Sequence, residues 1–134
     1  MPYTPPLADS GHHLGVNPPY DVPNYVTVAA PVSDPPLDIL YHAYAHQFLD
    51  DNFPRMPLTV TEGLAEVYSG FSITAQGMLI GVPNGDHVRW LKEHAPLPLS
   101  RQFSIDRRSP LLGSAPDRVT FMVGSSVPMH YLVS

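Results

Sequence analysis

Residues 34–71 read DPPLDILYHAYAHQFLDDNFPRMPLTVTEGLAEVYSGF, and the fold turns on reading them as two helices that share a metal site. Asp34-Pro35-Pro36 is a helix start: Asp can cap free N–H groups, and Pro suits a first turn, where its missing N–H costs nothing. Leu37, Leu40, Tyr41, Tyr44, Phe48 and Leu49 give a broad apolar face, which predicts a core helix running to about Asp51. Phe53-Pro54-Arg55-Met56-Pro57 breaks it, and a second helix is expected from near Leu58 to Gly70. His42 and His46, four apart beside the apolar face, stand one turn above the other, close enough to hold one ion between their rings. Glu62 can supply a third ligand, and Glu66 shares its side of the second helix. Two imidazoles and one carboxylate, with a fourth position open, form a ligand set of catalytic zinc.

C-terminal to this stretch, FSITAQGMLIGV (71–82) reads as two short strands or extended segments around Gln76-Gly77. Pro83-Asn84-Gly85-Asp86 is a turn, with Asp86 expected to cap a short helix from His87 to about His94. A further helical turn is expected over Leu97–Phe103, and a Pro-, Ser- and Gly-rich loop from Arg107 to Arg118. The last segment has two readings, a strand over Val119–Val123 or a short terminal helix with Pro128 in its first turn; the helix is preferred.

N-terminally, nine of the 17 prolines fall in the first 36 residues, so residues 1–22 are expected to be an extended or disordered arm. His12-His13 on that arm reads as a solvated pair. Asn24 to Ala30 has the alternation of a strand, expected at a sheet edge. With 134 residues and 43% apolar composition, the chain is expected to fold as one domain. One lysine and six scattered arginines against a net charge of -5 leave no basic stripe for phosphates, so nucleic acid is not an expected partner. Zero cysteines leave His, Asp and Glu to make any metal site. No window is long and apolar enough to span a bilayer, and Met1 to Ser10 lacks a signal peptide's pattern, so a soluble chain is expected. That leaves open a fragment of a longer protein, its oligomeric state, and its compartment, a secreted or periplasmic parent included.

His42-x-x-x-His46 followed by Pro57-x-x-x-Thr61-Glu62-Gly63-Leu64-Ala65-Glu66 resembles the gluzincin zinc metallopeptidases, most closely a bacterial peptidase-MA-like domain of unknown function. The similarity extends from about Asn24 to the end, including Ile80-Gly81-x-Pro83 and His130-Tyr131-Leu132. It implies an α+β, zincin-like domain over residues 23–134, with a mainly helical metal-site region and a small N-terminal edge strand or sheet. It also implies one Zn²⁺ held by His42, His46 and Glu62, with Glu66 orienting a ligand imidazole, and a peptide or protein as substrate or ligand. The chain departs from the pattern where chemistry is concerned. Ala43 stands where such peptidases carry the general-base Glu. Thr59 and Thr61 replace a Trp and an Asn, and Met122 lies near where a tyrosine that steadies the oxyanion is expected. The expected function is therefore a zinc-binding, metallopeptidase-like domain with little or no activity. The alternatives are an active peptidase and a metal-free structural or interaction domain in which His42 and His46 are core histidines and Glu62 and Glu66 a solvated face.

Outside this constellation, His87 and His94 read as surface residues without a carboxylate partner, and His130 as a packing residue. Ser125-Ser126 lacks the Gly-x-Ser-x-Gly frame of a nucleophile elbow.

Overall fold

The two helices expected from residues 34–71 form as α1 (Leu37–Asn52) and α2 (Leu58–Ser69), in a computed structural model that describes Leu14–Gly15, Thr27–Val28 and residues 37–133. Asn52 Nδ2 donates to the Phe48 carbonyl at 2.8 Å at the end of α1, and Phe53-Pro54 then stops it. Pro57 stands at the N-cap of α2, so no side chain caps that end; Thr61 Oγ1 instead donates to the Leu58 carbonyl at 3.0 Å. The Asp34 cap and His12-His13 lie outside the described residues. Thr27–Val28 (β2) pairs antiparallel with Leu14–Gly15 (β1), Leu14 opposite Val28.

α2 is the centre of the fold. It packs against α1 on one side and on the other against α5 (Ala115–Val133). Thr59, Thr61, Gly63, Ala65, Glu66 and Val67 are all buried. The row Thr59, Gly63 faces α5: Thr59 Oγ1 donates to Ser125 Oγ at 3.0 Å, and a Cβ on Gly63 would collide with the Ser125 carbonyl and Met129. Only a residue without a side chain lets the two backbones come this close. Gln102, on α4 (Leu99–Ser104), is fully buried and donates through Nε2 to Ser125 Oγ and the Phe121 carbonyl, both at 2.6 Å. Ser125 Oγ in turn donates to the Phe121 carbonyl at 2.8 Å, so this buried hydroxyl uses its one proton and both lone pairs.

α1 is less enclosed than its apolar face predicts. Ala45 and Leu49 are buried against α2, whereas Tyr44 and Phe48 on the expected core face are 66% and 51% exposed. An α-helix flanked by a single main neighbour buries a stripe, and here the stripe passes through Ala45 and Leu49 rather than through the aromatics.

After α2 the chain makes a hairpin, β3 (Ser72–Thr74) with β4 (Gly77–Leu79), Ile73 opposite Met78, as the alternation around Gln76-Gly77 predicts. Both strands are exposed on both faces, and a lone two-stranded hairpin is marginal in water. It is tied down where it returns: Gly81 N donates to the Val67 carbonyl at 3.1 Å and Val82 N to the Gly70 carbonyl at 3.3 Å. A Cβ on Gly70 would strike the Val82 backbone, so glycine permits this crossing.

Three expectations of the C-terminal half are corrected. α3 spans Gly85–Glu93, and its cap is Asn84, whose Oδ1 accepts from Asp86 N at 2.9 Å and His87 N at 3.4 Å; Asp86 lies inside the first turn, where its charge suits the helix dipole. The loop expected over Arg107–Arg118 holds a 3-10 turn at Pro110–Gly113 and the start of α5. Ser114-Ala115-Pro116-Asp117 is itself a helix start, with Pro in the first turn and Arg118 N donating to the Ser114 carbonyl at 3.0 Å. The terminal segment is one 19-residue helix with Pro128 inside it, not a short helix opening at Pro128. Pro128 removes one ladder bond, and the burial of Phe121, Val123, Ser125 and Met129 carries the helix past it. The described residues are mainly helical with two small antiparallel strand pairs, an α+β arrangement, and no helix among them is long and apolar enough to cross a membrane.

Candidate metal centre

α1 and α2 place three ligand atoms together. His42 and His46, one turn apart on α1, turn their Nε2 atoms to within 3.2 Å of each other. Glu62 comes from the first turns of α2; its Oε1 lies 3.3 Å from His46 Nε2 and its Oε2 3.8 Å from His42 Nε2. All three residues are half-buried, so the group is reachable from solvent while packed on its inner side. Ligand atoms about 2.0–2.1 Å from a tetrahedral ion are about 3.3 Å from one another, close to the spacing observed. His42, His46 and Glu62 could hold a metal ion, and among the described residues they are the group of this kind that forms.

Glu66 stands one turn further along α2 and is 7% exposed. Its Oε1 lies 3.1 Å from His42 Nδ1, and its Oε2 2.8 Å from Nδ1 of His87 on α3. Burial pushes its pKa up, but the hydrogen bonds from His42 and His87 and the charges of the two rings more than offset this and hold it at about 2. An ionised carboxylate only accepts, so His42 donates from Nδ1, and in the neutral ring the lone pair then falls on Nε2, the atom that faces His46 and Glu62. That is the tautomer a metal ligand needs. Of the two histidines of α1, His42 is the one that Glu66 contacts.

His87 is the participant that the sequence reading missed. Expected as a surface residue without a carboxylate partner, it is half-buried and hydrogen-bonded to Glu66, which raises its pKa; burial works the other way, and the charges of Glu66, Asp86 and Asp38 add to the rise. The signal available was its place two residues into a capped helix that follows the 83–86 turn; nothing in its own neighbourhood names Glu66, 21 positions earlier, as its partner. His94 stays outside the site, stacked on Trp90 with ring centroids 3.9 Å apart. His130 is half-buried, and a Cβ on Gly81 would meet its ring at 3.5 Å, so it packs as expected.

Of the departures, Ala43 follows His42 on α1 and is half-buried. The Thr59 hydroxyl donates to Ser125 and the Thr61 hydroxyl to the Leu58 carbonyl, and both residues are buried. Ser125 and Ser126 are buried and bonded to carbonyls of their own helix.

Compared with models of protein families, with curated proteins and with solved structures, the chain matches none of them.

Proposed function

We propose that this chain is a zincin-like, metallopeptidase-like domain that binds one Zn²⁺ through His42, His46 and Glu62 and has little or no hydrolytic activity. The observation that carries this reading is the convergence of three residues from two helices: the Nε2 atoms of His42 and His46 lie 3.2 Å apart, the two Glu62 oxygens lie 3.3 Å from His46 Nε2 and 3.8 Å from His42 Nε2, and Glu66 backs His42 Nδ1. The donor set is nitrogen and oxygen with an open side, which suits zinc in a site that retains a place for water or a ligand group. Zinc, when bound, supplies a Lewis acid that lowers the pKa of water to about 7. Proton transfer falls to the chain's own side chains. General-base catalysis contributes ~10²–10⁴-fold, and the methyl group of Ala43 cannot accept a proton. Zinc binding therefore persists while turnover is lost, and a peptide or protein segment becomes something the domain holds rather than cuts.

A metal-free reading draws on the same contacts. The 3.2 Å approach of the two Nε2 atoms and the 3.3 Å approach of His46 to Glu62 can each be a hydrogen bond in which His46 is the donor. Zinc and cobalt titrations followed by calorimetry separate the two. The proposal expects saturable binding near one ion per chain, with no chelator-sensitive cleavage of an unstructured protein substrate. Absence of binding supports the metal-free domain, and robust chelator-sensitive cleavage supports an active peptidase.

A further inference from the structure

The position of α3 over the metal centre has no explanation in the ligand set alone. His87 lies on the same face of this helix as Trp90, whose Nε1 donates to Thr120 Oγ1 on α5 at 3.1 Å. The Asn84 cap fixes the start of α3, and the Trp90 bond ties its far half to α5, so the His87 ring is held from both ends. Its Nδ1 lies 2.8 Å from Glu66 Oε2, the oxygen that His42 does not use.

We propose that His87 is a positioning residue of the metal centre, which acts through Glu66 to hold the His42 ring in its ligating orientation; this inference rests on the zinc reading. Glu66 bonded to His42 alone would be free to rotate about its terminal torsion, and its second oxygen would be buried without a partner. With His87 in place both oxygens are engaged by rings from different helices, and the carboxylate plane is fixed. The His42 ring then has one favourable orientation, with Nδ1–H on Glu66 and Nε2 toward His46 and Glu62. His87 is not among the residues whose donor atoms gather with His42, His46 and Glu62; what it brings to the group is its Nδ1 contact with Glu66.

The test uses the full chain and three proteins: wild type, His87→Leu and His87→Asn, the last with an amide N–H in roughly the place of the ring N–H. Zinc affinity is measured by competition with a chromophoric chelator, and site geometry by the visible spectrum of the Co²⁺ form. His87→Leu should bind zinc roughly 10–100-fold more weakly and shift the Co²⁺ spectrum, and His87→Asn should recover most of both. A residue that matters only for packing would lower the thermal midpoint of the apo variants and leave affinity and spectrum unmoved. Should His87→Leu fail to fold, nitrogen-detected NMR of the wild-type histidines decides: the proposal expects a proton on Nδ1 of both His42 and His87. A folded His87→Leu with wild-type zinc affinity, or a His87 ring with Nδ1 unprotonated, overturns the inference. A wild type that binds no zinc fails the zinc reading instead, whatever the state of His87.

Discussion

On the proposed zinc reading, Ala43 is the position that tells binding from chemistry: it follows His42, so Ala43→Glu places a carboxylate where a proton acceptor would act. The zinc-loaded variant should cleave an unstructured protein measurably faster than the zinc-loaded wild type. The gain should fall short of the full ~10²–10⁴-fold typical of a general base, because Met122 and Thr61 also depart from the resembled pattern. Chelator-sensitive product formation measures it, and no gain in a folded, zinc-bound variant would mean that the site has lost more than its base. At this scale the grouping of His42, His46 and Glu62 was legible in the sequence, since helical spacing puts His42 over His46 and Glu62 beside Glu66, and a short break between the helices lets the two pairs meet. His87 was not legible. A hydrogen bond between residues on separate elements is set by how α3 docks, and local spacing carries no record of that.

Among the elements, the contact between α2 and α5 is the most demanding. Ala in place of Gly63 would favour the helix intrinsically by roughly 1 kcal/mol. Its methyl group would also overlap the Ser125 carbonyl, a backbone atom that cannot swing aside, and overpacking of this kind costs typically about 1–3 kcal/mol or more. The clash wins, so Gly63→Ala should lower the midpoint of urea unfolding; an unchanged or raised midpoint would mean that α5 sits further from α2. Glu-Gly-Leu-Ala-Glu thus faces two partners, its glutamates the histidines of α1 and α3 and its Gly63 the α5 interface. The helices α1 and α2 and the β3–β4 hairpin were legible because period and breakers agree there. α5 was half legible: the expected terminal helix opened only at Pro128, yet the helix starts at Ala115 and runs through Gly124 and Ser125, where Gln102 and α2 contact it, and tertiary burial outweighs their weak helix propensity. Likewise Tyr44 and Phe48 look like core by type, and only the packing of α1 shows them exposed.

For the molecule as a whole, the Glu66–His87 pair couples stability to pH. The folded-state pKa of Glu66 is depressed from 4.5 to about 2, so its contribution is present above 4.5 and is lost as pH falls through that interval. A shift of this size corresponds to on the order of 3 kcal/mol. The pKa of His87 is raised from 6.5, so its contribution is complete below 6.5 and is lost as pH rises through the higher folded value. The chelated protein should therefore gain most from this pair between about pH 4.5 and 6.5, and Glu66→Gln should flatten the profile of unfolding free energy on both sides. An acid limb as steep in Glu66→Gln as in wild type would place the coupling elsewhere. Zinc should raise stability by mass action, about 2.7 kcal/mol at a free concentration of 100 Kd, since the unfolded chain lacks the assembled ligand set. If His42, His46 and Glu62 together hold one zinc ion, metal analysis after equilibrium dialysis against buffered Zn²⁺ should find about one zinc per wild-type chain and none in His42→Ala/His46→Ala dialysed side by side; stoichiometric zinc retained by the double variant, or none in the wild type, would rule this ligand set out.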